Sequence, residues 1–255
     1  MPRHTSLLAT GLLACLALTG CSQASETAEV RAPTTRPAPT ASSPVATAAP
    51  SETAAETSAP PSPSPSVSAA PPRLTLADRL LPAAELPGFN DGFTWSAGAT
   101  RHDEPELFGT CQRFAITSIG AMRVAVRDYA SANGGEDTVG GELVADFADE
   151  KTGAGAMDVL RAWRSKCAEK LRGHVDPRVG ELEPVGIEDA DAGWYLLGYG
   201  TPDGSPDERW FDAQGLVRVG ARIALVRLSV LGQDYNYEPG QEPMVAALRQ
   251  AAAKL

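Results

Sequence analysis

The chain has 255 residues, 43% of them hydrophobic, and a net charge of −10. Residues 1–73 hold four of the 22 lysines and arginines and four of the 32 acidic side chains, so the whole acidic excess falls on the part from Leu74 onward. An acidic domain repels phosphate backbones, which argues against nucleic acid as a partner.

The chain opens with Arg3 and His4, followed by an apolar run from Leu7 to Leu18. That run is too short to span a hydrocarbon core of about 30 Å and reads as the core of a signal peptide covering residues 1–21. Its end, Leu18-Thr19-Gly20-Cys21, resembles the lipobox of bacterial lipoproteins. The resemblance implies cleavage before Cys21, a diacylglycerol thioether on its thiol and fatty acylation such as palmitate on the new amino terminus. One acyl chain binds a bilayer only reversibly, whereas two or more hold firmly. The expectation is a lipid-anchored protein on the extracytoplasmic face of the cell membrane, with membrane lipid as its partner through Cys21. The competing reading is an ordinary secretory signal with a chance cysteine after small residues.

Residues 22–73 are nearly all Ala, Pro, Ser, Thr, Glu and Val, with no aromatic residue and no hydrophobic period. Such a segment buries too little apolar area to offset the entropy of ordering it, and is expected to be a disordered linker. Its reach lies between about 40 Å as a coil and about 160 Å fully extended. The composition suits a plain spacer or a glycosylated stalk.

The foldable domain is therefore residues 74–255, enough for one core. Leu74 to Leu86 reads as a short helix with Thr75 as its cap, Phe93 to Ala97 as a short strand, and Cys111 to Ile119 as one helical turn or two. Met122 to Tyr129 and Gly141 to Asp149 alternate apolar and polar residues and flank the Gly/Asn/Asp-rich stretch Asn133 to Gly140, the pattern of an antiparallel hairpin. A helix capped by Asp149 or Thr152 follows, with Ala156, Leu160, Trp163, Cys167 and Leu171 on one side and Gly173 as its stop. From Gly193 the pattern becomes a meander: Trp194 to Gly200, Arg209 to Asp212, Leu216 to Val219 and Arg222 to Leu231. Gly220-Ala221 suits a two-residue turn with Gly first. A last helix from about Gln241 carries Met244, Leu248, Ala251 and Leu255. This order predicts an α+β fold, an antiparallel sheet with helices packed on one face.

Cys15 leaves with the signal peptide and Cys21 is lipidated, so Cys111 and Cys167 remain. Outside the cell such a pair is expected to be a disulfide. The alternatives, a thiol nucleophile or a metal pair, have neither a CxxC spacing nor a nearby histidine in the sequence.

Neither GxSxG, HExxH, a phosphate-binding glycine loop nor an EF-hand loop occurs. His102-Asp103-Glu104-Pro105-Glu106 offers mixed metal ligands but also suits a solvated acidic loop, and His174 with Asp176 sits where an imidazole can meet the last carbonyls of a helix. No catalytic residue, metal or cofactor is expected. What stands out is aromatic placement: Trp194-Tyr195, Trp210-Phe211 and the loop Gly232 to Tyr237. Neighbours on a strand point to opposite faces, so one ring of each pair need not enter the core. These rings can simply pack the sheet. Alternatively Trp194, Trp210, Gln233, Asp234, Tyr235, Asn236 and Tyr237 form a recognition patch, the tyrosines giving flat contact area and the polar residues specificity.

Leu80-Leu81-Pro82 with Glu85-Leu86-Pro87, the helix holding Trp163 and Cys167, Val217-Arg218-Val219-Gly220 and the final alanine-rich helix resemble the PknH-like extracellular sensor domains of actinobacterial receptor kinases and lipoproteins. The resemblance implies a ligand-sensing or binding domain with a cleft and no catalysis. The expected function is thus non-catalytic capture of a small molecule, glycan or envelope protein. The alternatives are a lipoprotein that docks on another envelope component and a cell-wall hydrolase using paired carboxylates.

Overall fold

The computed structural model describes residues 74–103, 107–133, 135, 137–201, 204–205, 207–232 and 234–255. The expected signal peptide, Cys21 and the expected linker lie outside them, as do Glu104 to Glu106 and Gln233. Among the described residues no helix is long and apolar enough to cross a membrane.

Eight strands form one antiparallel sheet: β1 (Trp95–Ala97), β2 (Arg123–Ser131), β3 (Thr138–Asp146), β4 (Val175–Val179), β5 (Glu183–Pro184), β6 (Asp191–Gly200), β7 (Arg209–Val219) and β8 (Arg222–Gly232). Their order across the sheet is β1-β2-β3-β8-β7-β6-β4, and β5 also pairs with β6. The expected hairpin is β2–β3, in register from Arg123 opposite Asp146 to Ala130 opposite Val139. Val219 and Arg222 close the β7–β8 hairpin around Gly220, whose φ of +55° is the left-handed value that a first-position glycine supplies.

Among the described residues two α-helices accompany the sheet, α1 (Glu150–Ser165) and α2 (Pro243–Lys254). Asp149 caps α1, its carboxylate accepting from the Thr152 N–H at 2.7 Å and the Thr152 hydroxyl at 2.8 Å. Pro243 opens α2, where a missing N–H costs nothing.

The helices do not share a face. Along β8, Ile223 and Leu225 pack in the cluster holding Met157, Leu160 and Trp163 of α1, while Ala224, Val226 and Leu228 pack with Met244, Leu248 and Ala251 of α2. Successive residues of a strand point to opposite sides, so α1 and α2 cover opposite faces and the sheet is the middle of three layers. The expectation of helices on one face is corrected. The central strands are apolar on both sides, a continuous run such as Ile223-Ala224-Leu225-Val226 that needs cover twice. Each fully buried leucine in these layers contributes roughly 1.5–3 kcal/mol.

Other expectations shift. Residues 74–86 hold only a 3₁₀ turn at Ala77–Arg79, with Thr75 and Asp78 bonding each other across it. The segment is pinned to the α2 layer: Leu76, Leu80, Leu81 and Leu86 are buried there, and the Leu81 N–H donates to Glu142 at 2.6 Å. Arg79 donates to the carbonyls of Lys254 and Leu255, both at 2.6 Å, and Lys254 pairs with Glu85 at 3.0 Å. The α1 helix stops at Ser165 rather than running to Leu171, and a 3₁₀ turn at Cys167–Glu169 follows. That tighter turn brings Cys167 and Leu171 into a buried cluster with Cys111, Tyr195 and Leu197. Cys111 and Cys167 are joined as the expected disulfide. The two strands expected at Arg209 to Asp212 and Leu216 to Val219 are one, and β4 and β5 fall where no strand was expected.

Candidate ligand-binding site

β6 reads Asp191-Ala-Gly-Trp-Tyr-Leu-Leu-Gly-Tyr-Gly200. On its α2 side the side chains shrink in chain order, from Trp194 and Leu196 to Gly198 and Gly200. Past the reach of α2 the sheet face therefore has a trough. The register puts Arg178 of β4 opposite Gly198, and Gly198 opposite Phe211 of β7, so Arg178 and Phe211 flank a bare glycine across two strand spacings, roughly 10 Å. One residue past β4, the Gly180 N–H donates to the Leu196 carbonyl at 2.7 Å; a Cβ there would stand 2.8 Å from that oxygen, so the approach requires glycine.

The loop after β8 closes one side. The Tyr235 ring lies 6.0 Å from Phe211, nearly parallel to it, 6.5 Å from Trp194 and 4.8 Å from Tyr237. Tyr237 is fixed from behind, its hydroxyl donating to the Phe89 carbonyl at 2.7 Å. The result is a cavity of about 430 Å³ with Leu196, Gly198 and Phe211 as floor, Tyr235, Asp234 and Asn236 on the loop side, and Arg178 and Arg209 at the β4 and β7 ends. That volume suits a small-molecule site.

Its arginines are positioned by one acid. Arg209 donates to the Asp176 carbonyl at 2.7 Å and to its carboxylate at 3.3 Å, and Arg178 donates to the same carboxylate at 2.8 Å. Asp176 has φ +43°, in a register shift of β4 between Val175 and Arg178. Asp tolerates that left-handed conformation better than most residues. The Arg178 charge, then the bond from Arg209, hold the Asp176 carboxyl below its ordinary range. Burial, then Tyr237 and Glu242, push the Tyr235 hydroxyl well above its usual range, so it stays protonated. That hydroxyl is buried and has no hydrogen-bond partner among the described residues.

No protein-family model and no curated protein matches this chain. Among solved structures, the extracellular domain of PknH from Mycobacterium tuberculosis is slightly similar, at 10% identity over 63% of this chain and 84% of that one, with a TM-score of 0.38.

Of the residues expected to form a patch, Asp234, Tyr235 and Asn236 line the cavity. Trp194 is buried beneath Tyr235 and Tyr237 stands behind it, so both support the wall rather than face a ligand. Trp210 does not join them: it opposes Tyr199 and, alternating with Arg209 and Phe211, points to the α1 face. Gln233 lies outside the described residues. The arginines, Gly198 and Phe211 were missed as site residues. The signal available for them was the alternation Leu196-x-Gly198-x-Gly200, which strips one face of a strand of side chains.

Elsewhere on the α1 face, buried Asp212 accepts from Thr110 at 2.6 Å, Gln214 at 2.8 Å and Ser229, a fully occupied polar knot. The His174 ring packs 4.5 Å from Tyr199, and its backbone N–H, not its imidazole, meets the Leu171 carbonyl. Among the described residues no three His, Cys, Asp or Glu side chains converge as a metal-binding group.

Proposed function

We propose that this protein is a membrane-anchored extracytoplasmic lipoprotein whose folded domain captures a small molecule without transforming it, in the cavity spanning β4, β6 and β7. The observation that carries the reading is a pre-formed trough in which the fold leaves polar groups unused beside stacked aromatic rings. The Tyr235 hydroxyl is buried without a hydrogen-bond partner among the described residues, and at the exposed rim Asp234 and Asn236 make no side-chain hydrogen bond or ion pair to a described residue. Unspent polar groups around an apolar floor are the usual makings of a specific binding site. Among the described residues Asp234 is the one carboxylate in the lining, so a paired-acid hydrolase draws no support from this cavity.

Anchoring rests on the match of Leu18-Thr19-Gly20-Cys21 to a lipobox. Sensing, as in the family the sequence resembles, would follow if occupancy altered the loop at Asp234 to Asn236.

Two measurements test the proposal. A thermal-shift screen of the mature chain against wall fragments, sugars, amino acids and metals should give a ligand whose stabilisation grows with concentration and disappears in Tyr235→Ala. Mass spectrometry of the membrane fraction should find acyl groups on Cys21. A chain recovered free of lipid from the cytosol would remove the anchoring half, and a ligand unaffected by Tyr235→Ala would remove the assignment of the cavity.

A further inference from the structure

We propose that the molecule taken up in this cavity is a small zwitterion, a carboxylate and an ammonium group on a skeleton with an apolar side group, as in a free amino acid or a dipeptide with open termini. The inference rests on the capture reading above and narrows it.

The charges in and around the cavity are mixed and separated by element. Arg178 and Arg209 stand on β4 and β7, and Asp176 answers two positive charges with one negative. A guanidinium carries five N–H donors; the bonds to Asp176 use one nitrogen of Arg178 and two of Arg209, so both keep donors to offer. Arg209 is the more enclosed, its side chain 22% exposed against 71% for Arg178. Held by Asp176 and shielded, it is pre-organised for the planar, paired recognition of a carboxylate. On the loop side, at the exposed rim, Asp234 brings a carboxylate without a partner among the described residues, and Asn236 an amide oxygen. Both accept from an ammonium group.

A ligand with only negative charge meets Asp234 as a repulsion, and one with only positive charge meets the two arginines. A neutral sugar makes no ionic contact with any of the three beyond the Asp176 pairs and hydration they already have. A zwitterion satisfies both ends at once, and the floor of Leu196 and Phe211 with the Tyr235 wall is left for an aliphatic or aromatic side group. The volume of about 430 Å³ accommodates a skeleton of one or two residues.

The test is isothermal titration of the full mature chain with the amino acids in both hands, dipeptides of Leu, Phe and Ala, and the N-acetyl and C-amide derivatives of whichever binds. The expected result is that either cap weakens binding at least about tenfold, the loss of one charge-assisted contact. In Asp234→Asn the free and N-acetylated forms should bind alike, and in Arg209→Gln the free and C-amidated forms should bind alike, with melting temperatures confirming that both variants fold. Equal binding of capped and free forms overturns the zwitterion. So does a panel in which none of these compounds binds while a sugar or phosphate compound does; if that compound is lost in Tyr235→Ala, the cavity remains the capture site and only its chemistry changes. A chain that binds nothing in either panel removes the capture reading and this inference together.

Discussion

Arg209 lies across Gly198. A Cβ built on Gly198 would stand 3.4 Å from the Arg209 Nε, so the guanidinium crosses β6 to reach Asp176 over a position with no side chain. One glycine thus makes room both for the cavity floor and for the arginine that closes its end.

Gly198→Ala adds a single carbon at ordinary van der Waals distance and removes backbone freedom from the unfolded chain. It should leave stability unchanged or raise it by up to about 1 kcal/mol, with ligand binding retained. Gly198→Leu should fill the trough and push Arg209 off Asp176, abolishing binding while the melting temperature moves little. Titration of the two variants side by side checks this, and a leucine variant that still binds would remove the trough from the account.

Glu142 is fully buried; its Oε2 accepts from the Leu81 N–H at 2.6 Å and the Tyr129 hydroxyl at 3.3 Å, while its Oε1 has no partner among the described residues. Burial pushes its pKa from an ordinary 4.5 up to about 7, against the lowering by those two bonds and by Arg127. Between these values the native state holds a proton that the unfolded chain has released. Stability from this group therefore falls as pH rises from about 4.5 to about 7 and levels off above, a loss of roughly 3 kcal/mol. Glu142→Gln has no charge to bury. Urea melts should show the variant gaining on the natural chain across that window, and a difference that stays constant with pH would count against the buried carboxyl as its source.

The Cys111–Cys167 bond spans 56 residues and ties the loop before β2 to the turn after α1. In the chain-entropy model such a closure stabilises the fold by roughly 4 kcal/mol. The double variant Cys111→Ala, Cys167→Ala should lose stability on that scale by denaturant titration, and a loss below about 1 kcal/mol would show that the reduced chain is held by other means.

Gly215 seats α2. A Cβ there would lie 2.4 Å from the Met244 sulfur and 2.9 Å from a Leu248 methyl, and both side chains are fully buried with nowhere to move. Gly215→Ala should cost roughly 1–3 kcal/mol through overpacking, with the pairing of β7 to its neighbours intact. A melting curve unchanged from the natural protein would mean that α2 docks more loosely than its contacts indicate.

Several elements were legible from sequence. The β2–β3 hairpin, β6, β8, the Asp149 cap and the apolar side of α2 could each be read from period and punctuation. The break expected within β7 came from Gln214-Gly215, which resembles a turn; both residues are interior, Gln214 bonding buried Asp212 and Gly215 admitting α2. β4 was invisible because its residues are mostly exposed, contain Pro177 and are interrupted by a register shift, so no alternation survives. The second covered face was written in the unbroken run Ile223 to Val226, which a reading for alternation overlooks. At the site, the tyrosine and acid of the 234–237 loop announced themselves by type. Arg178 and Arg209 did not, because 31 positions separate them and only the β4–β6–β7 register brings them to one cavity.

Fastening residues 74–93 to the last carbonyls of α2 and to Glu142 has a mechanical side. Tension applied at Leu74 reaches the Arg79 contacts, the Lys254–Glu85 pair and the Leu81–Glu142 bond before it reaches a strand ladder. The inlet of the domain would peel first, as a fuse does, and because its Phe89 carbonyl holds the Tyr237 hydroxyl, peeling would also loosen the loop that walls the trough.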